Sequence, residues 1–160
     1  MPPFTITPAT TPHDLASAAT LFQAYATALG QDLTFQNFTT ELSTLPGKYA
    51  PPTGALLLAK STSTNEAIGC VAVRPLEPAG VCEMKRLYVS PAGRGTGVGR
   101  ALAEAVIAEA KELGYASMVL DTLASLRPAL ELYKALGFRE IEAYYANPLE
   151  EVIYLELALR

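Results

Sequence analysis

The chain has no tryptophan, one histidine, two cysteines and three methionines in 160 residues. With His13 as the lone imidazole, a zinc site has almost no ligands to draw on, and no metal is expected. Cys70 and Cys82 lie inside apolar runs that read as neighbouring strands, where buried reduced thiols are expected rather than a disulfide. Basic residues are scarce, 12 against 16 acidic, giving a net charge of −4 and a pI near 5.0. That balance argues against nucleic acid and suits a neutral or cationic partner. The opening "MPPFTITPATTP" has neither a basic nor an apolar leader region, and no run approaches the ~18 apolar residues of a membrane span. A cytoplasmic protein is expected. Half the residues are hydrophobic and 18% charged, so residues 1–160 are expected to form one domain with a sizeable core.

Periodicity gives the order of elements. "FTIT" from Phe4 reads as a strand. Leu15, Ala18, Ala19, Phe22, Tyr25, Ala26 and Leu29 recur at helical spacing, with Gly30 as the stop, and a shorter helix is expected over 35–45. "GALLLAKS", "EAIGCVAVRP" and "VCEMKRLYV" are three strands with short connections, hence an antiparallel meander. "VGRALAEAVIAEAKEL" is a helix, "SMVLDT" a strand, and "LRPALELYKAL" a helix that Ser125 can cap and Gly137 ends. "EVIYLELAL" is the last strand, with a short one before it near Ile141 to Tyr144. The fold class is α/β: a mixed, mostly antiparallel sheet flanked by about four helices.

The segment "SPAGRGTGVGRAL" places Gly93, Gly95, Gly97 and Gly99 at alternate positions directly before a helix. Unpaired N–H groups and the positive end of the helix dipole suit a phosphate there, glycines allow close approach, and Arg94 adds a charged fork. The alternative is a sharp turn with no ligand. A Walker A loop would need Gly-Lys-Ser/Thr, which is missing. A dinucleotide fingerprint would start at Gly95 and Gly97 with Asp121 as the ribose acid, but its third glycine falls on Arg100. An oxidoreductase is therefore the weaker alternative.

Arg94-Gly95-Thr96-Gly97-Val98-Gly99 is an R-x-x-G-x-G. With the preceding "LYV" strand and the later "LYKALGF", it closely resembles the GNAT superfamily of acyl-CoA-dependent N-acyltransferases over Glu83 to Phe138. The resemblance implies a GNAT-like fold and acetyl-CoA as cosubstrate. It implies an acetyl group moved to a primary amine, of a small molecule rather than a peptide, by direct attack in a ternary complex. The loop from Arg94 through Gly95, Thr96, Gly97, Val98 and Gly99 to Arg100 would wrap the pyrophosphate. Leu87 would offer a main-chain N–H to the acyl oxygen, and Tyr88 and Val89 backbone partners to the pantetheine. Tyr133 matches the tyrosine whose hydroxyl reaches the sulfur, although its helical stripe with Leu126 and Leu130 also suits a core residue.

Glu83 stands where family members place a glutamate base. On an ideal strand it shares a face with Lys85 and Leu87, and a solvated glutamate paired with Lys85 or Arg86 is the competing reading. Where relatives often carry a cofactor-binding asparagine, this chain has Leu126, so Asp121 and Thr122 are the substitutes considered. Tyr25, Phe35, Gln36, Lys48, Tyr49, Tyr144, Tyr145 and Asn147 are the acceptor-site candidates, and a homodimer is possible. A CoA-binding sensor without catalysis is the alternative to an enzyme.

Overall fold

The computed structural model describes residues 3–30, 33 and 37–160. Along the chain run β1 (Phe4–Pro8), α1 (Pro12–Leu29), α2 (Phe38–Ser43), β2 (Ala55–Ser61), β3 (Ala67–Pro75) and β4 (Val81–Val89). They are followed by α3 (Val98–Glu112), β5 (Ser117–Leu123), α4 (Arg127–Ala135), β6 (Arg139–Ile141) and β7 (Val152–Ala158). The expected α/β class holds: among the described residues seven strands form one sheet in the order β1-β2-β3-β4-β5-β7-β6, with only the β4–β5 pair parallel. None of the helices among the described residues is long and apolar enough to cross a membrane.

Local chemistry accounts for most boundaries. Thr11 caps α1 by accepting from the Asp14 N–H at 3.0 Å, and Gly30 ends it at φ 68°. His13 is exposed in its first turn, as expected of a helix-start surface residue. Expected over 35–45, the second helix is observed over Phe38–Ser43; Phe35 and Gln36 lie outside the described residues. A 3₁₀ turn, Gly47–Tyr49, occupies the loop before β2. Ser125 does not cap α4. Leu126 takes the N-cap position without a side-chain cap bond, and its N–H donates to the Leu123 carbonyl at 3.0 Å. The short strand lies slightly earlier than expected, over Arg139–Ile141.

Two apolar clusters sandwich the sheet. On one face Val98, Leu102, Val106 and Ala110 of α3 pack on Val71, Val73, Met84 and Leu120. On the other, Ala18, Leu21 and Phe22 of α1 pack with Phe38 and Tyr49 on Leu56, Leu58, Cys70 and Ala72. Both cysteines are buried and free, and burial pushes the Cys82 thiol up to about 12. At Gly69 an added Cβ would lie 2.8 Å from Leu102 Cδ1 and 3.1 Å from the Tyr88 carbonyl oxygen, so α3 sits tight against β3.

Two irregularities in β4 open the sheet for a site. Cys70 opposes Tyr88 whereas Ala72 opposes Lys85, so β4 carries one extra residue, a bulge, with Arg86 at φ 62°. The bulge shifts the alternation by one. Glu83 and Lys85 share a face, as expected, but Leu87 and Val89 turn to the α3 face while Arg86 and Tyr88 stay on the α1 face. The expectation that Leu87 accompanies Glu83 is thereby corrected. Secondly, β4 pairs β5 only from Val81/Ser117 to Glu83/Val119. Beyond that β4 continues against β3 and β5 against β7, leaving a split in the sheet between residues 84–89 and 120–123.

Candidate active site

The glycine loop stands at the mouth of this split. Gly95 and Gly97 have φ of 79° and 84°, and nothing lies within 4 Å of a Cβ built on either, so the backbone is bare on its outer side. Gly97 is the N-cap of α3 and brings no side-chain cap, which leaves first-turn N–H groups directed outward. Thr96 Oγ1 donates to the Gly93 carbonyl at 2.6 Å and Arg94 Nε to the Val89 carbonyl at 3.3 Å, tying the loop to the end of β4. Val98 points into the core. Arg100 is exposed, 3.7 Å from Glu104 one turn on.

Groups from both faces converge on the split. Tyr133 of α4 is buried, edge-on to Phe138 at 5.7 Å, and burial pushes its phenol above the ordinary value near 10, with Tyr25 and Asp121 adding to the shift. Tyr25 comes from the opposite face and is itself raised, first by burial. It stacks edge-on to Tyr88 at 6.5 Å and its ring faces the Arg86 guanidinium at 5.8 Å. Tyr25, Asp121 and Tyr133 thus come within electrostatic reach of one another where the strands part.

On the α1 face the sheet floors a cleft of about 650 Å³, lined among others by Lys48, Arg74, Glu83, Lys85, Tyr144 and Tyr145. Glu83 is only 3% exposed. Its Oε2 accepts from the Tyr144 hydroxyl at 2.6 Å and its Oε1 from Arg74 Nη1 at 3.4 Å. Its burial, and an arginine drawn from the neighbouring strand rather than Arg86, correct the solvated-strand reading. The Tyr144 phenol is raised by burial and then by the Glu83 charge beside it. Burial lowers the ammonium pKa of Lys85 and of Lys48.

The loop after β6 is pinned over this cleft. Tyr145 donates its hydroxyl to Asp121, and Asn147 Nδ2 donates to Asp121 Oδ2 at 3.0 Å and to the Tyr145 hydroxyl at 2.7 Å. Tyr144, Tyr145 and Tyr154 pack as a cluster with ring centroids 5.3–5.8 Å apart. Asp121, considered for the cofactor, is engaged instead by the candidate acceptor loop. Of the acceptor candidates, Lys48, Tyr144 and Tyr145 line the cleft; Asn147 anchors Tyr145. Tyr25, on α1 itself, sits beside Arg86, and Tyr49 is fully buried against Phe22 at 6.0 Å.

Two features escaped the sequence. Arg74 opposes Glu83 across the β3–β4 hairpin, legible only once the register is known. Arg86 donates to Glu41 of α2 through Nε at 2.8 Å and Nη2 at 3.0 Å, and also faces the Phe38 ring at 5.1 Å. Burial alone would lower the Arg86 pKa and raise that of Glu41; the pairing reverses both.

Known proteins share this plan. The acetyltransferase (GNAT) family model matches residues 18–138. An uncharacterized N-acetyltransferase of Schizosaccharomyces pombe is 47% identical over 148 residues, covering 92% of this chain and 90% of its own. A GNAT-family acetyltransferase of Staphylococcus aureus superposes with a TM-score of 0.80 at 18% identity, over 98% of this chain and 99% of that one. A Salmonella typhimurium protein solved with its cofactor acetyl-CoA gives 0.73 at 18% identity, over 98% and 94%. The bare loop at the head of α3, the parted β4 and β5 and the family match agree: this chain belongs to the GNAT family and is an acyl-CoA-dependent N-acetyltransferase.

Proposed function

We propose that residues 1–160 act as one unit that moves an acetyl group from acetyl-CoA to a primary amine of a small molecule, by direct attack in a ternary complex. The observation that carries this reading is the split between β4 and β5, with the bare loop on one side and a cleft holding Glu83 on the other. The outward N–H groups and uncrowded glycines fit a pyrophosphate; a side chain at Gly97 would stand in its approach. Arg94 and the main chain from Gly95 to Arg100 hold the phosphates. Leu87, Tyr88 and Val89 lend main-chain groups along the β4 edge of the split. The acetyl-CoA of a relative's structure supports the same assignment. When bound, that cosubstrate supplies a thioester-activated acetyl group.

The acceptor nitrogen sheds two protons, one before it attacks and one that passes to the departing sulfur as the adduct collapses. The acceptor enters as an ammonium and must lose a proton before its nitrogen attacks. Glu83 takes it, directly or through a water, and Tyr144 and Arg74 hold its carboxylate in place. The Leu87 N–H donates to the acyl oxygen as charge builds there. Tyr133 donates a hydrogen bond to the departing sulfur. Burial raises its phenol further above a thiol pKa near ~8.5, so it stabilises the thiolate more readily than it protonates it outright.

The test is an acetyl-CoA turnover assay over an amine panel, reading free thiol, run beside thermal shifts with CoA, NAD and NADP. CoA is expected to raise Tm and the dinucleotides are not. Stabilisation by NADP alone would return the dinucleotide reading. Binding of acetyl-CoA without transfer to any amine would favour the sensor. In an active enzyme, Glu83→Gln is expected to slow transfer most at low pH and least above the acceptor's own pKa, where free amine accumulates.

A further inference from the structure

The cleft has a polarity that the whole chain does not. Register places Arg74, Glu83, Val119 and Glu156 in one row across β3, β4, β5 and β7, all lining the cleft. At the β3 end Lys48 joins Arg74. Its ammonium lies 3.6 Å from Glu41, but both Glu41 oxygens already accept from Arg86. Arg74 reaches Glu83 through Nη1 alone, at 3.4 Å, and its Nε is buried with no hydrogen-bond partner among the described residues. In this corner three cations, Arg74, Lys48 and Arg86, therefore share two carboxylates, Glu41 and Glu83. Over the whole lining three basic residues, Lys48, Arg74 and Lys85, are matched in number by three acidic ones, Glu77, Glu83 and Glu156, so the imbalance is confined to this corner. Glu77 is on the exposed loop after β3, and Glu156 is two strands from Glu83 with Arg139 opposite it on β6.

A half-dehydrated surplus of positive charge is costly until an anion meets it. We infer that the acceptor amine also carries a carboxylate, which Arg74 and Lys48 bind while the amine lies beside Glu83. This rests on the acetyl-transfer reading above and narrows its acceptor. A carboxylate fits the part of the Arg74 guanidinium that lines the cleft. The 3.4 Å between Arg74 and Glu83 keeps the two ends of the substrate close, as in an amino acid with few atoms between nitrogen and carboxylate. The net charge of −4 pointed to a neutral or cationic acceptor. The under-paired cations beside Glu83 point the other way.

The competing occupant is a polyamine stretched from Glu83 to Glu156, a span of roughly 10 Å across two strand spacings. The test measures kcat/KM for a panel of amino acids, each beside its carboxamide, with diamines and polyamines alongside. Wild type is expected to favour carboxylate over carboxamide by about ten-fold or more. Arg74→Gln and Lys48→Gln, confirmed folded by circular dichroism, are each expected to bring that ratio toward one. Equal or better turnover of carboxamides or polyamines overturns the inference while leaving acetyl transfer intact. So does a ratio that neither variant moves, or transfer to other amines but to no carboxylate-bearing one. Failure to bind acetyl-CoA at all would instead remove the reading on which it rests.

Discussion

The two faces of the sheet are built to different rules. Under α3 and α4 the core is an unbroken apolar cluster from Ala55 to Leu159 that contains no charged side chain. Against α1 and α2 lie Asp14, Glu41, Glu83, Lys85 and Arg86, all the buried charged residues described. Buried charge costs several kcal/mol per ion unless paired and hydrogen-bonded, so the ionic face is a poor place to gain stability and a good one to hold reactive groups. The contrast suggests that one face keeps the sheet together and the other, with the split between them, does the chemistry.

That division of labour meets its most severe test on the apolar face. Leu102→Ala empties a fully buried site beneath β3 and is expected to cost about 2–5 kcal/mol of unfolding free energy by denaturant titration. The kinetic constants per folded molecule should stay near wild type. A large fall in kcat at full folding would show that the apolar face also governs the chemistry.

Next in size is Tyr133→Phe, which removes a hydroxyl and keeps the aromatic packing on Phe138. We expect kcat to fall roughly 10²-fold with KM for acetyl-CoA nearly unchanged. A wild-type kcat, once chemistry is shown to limit turnover, would return Tyr133 to the apolar core it otherwise belongs to.

Gly97→Asp isolates the role of the loop. The site is open, and aspartate tolerates φ near 84° better than most residues, so the fold should survive. A negative side chain before the α3 dipole should weaken acetyl-CoA about ten-fold or more in calorimetry. Unchanged affinity in a folded variant would make the loop a plain turn.

The smallest effect is expected at Asp14, on the ionic face but far along the sheet from Glu83. Lys60 at 2.8 Å holds the Asp14 carboxyl below its ordinary value, and the Thr10 and Thr11 N-terminal contacts act in the same direction. A depressed folded pKa stabilises above the unfolded value near 3.8 and loses that contribution as pH falls through the folded one. Asp14→Asn should therefore cost about 1 kcal/mol at neutral pH and flatten the acid limb of the stability curve. An acid limb identical to wild type would exclude this pair as a source of pH dependence.

Much of this molecule was legible in one dimension. Apolar spacing fixed the order of strands and helices, because hydrophobic burial repeats with the geometry of each element. The R-x-x-G-x-G segment, "LYV" and "LYKALGF" sufficed for the family, because a phosphate-binding helix start needs bare backbone in a short contiguous stretch. Three things were decided only in the tertiary structure. Arg74 meets Glu83 because hairpin register, not sequence distance, pairs β3 with β4. Leu87 leaves the face of Glu83 because one extra residue at Arg86 inverts the alternation, and the Glu41 carboxylate that pairs with Arg86 comes from a separate helix. Lys48 and Arg74 gather beside Glu83 in a chain of net charge −4 because charge is summed along a sequence but felt at 3–4 Å, where only folding decides which side chains are neighbours.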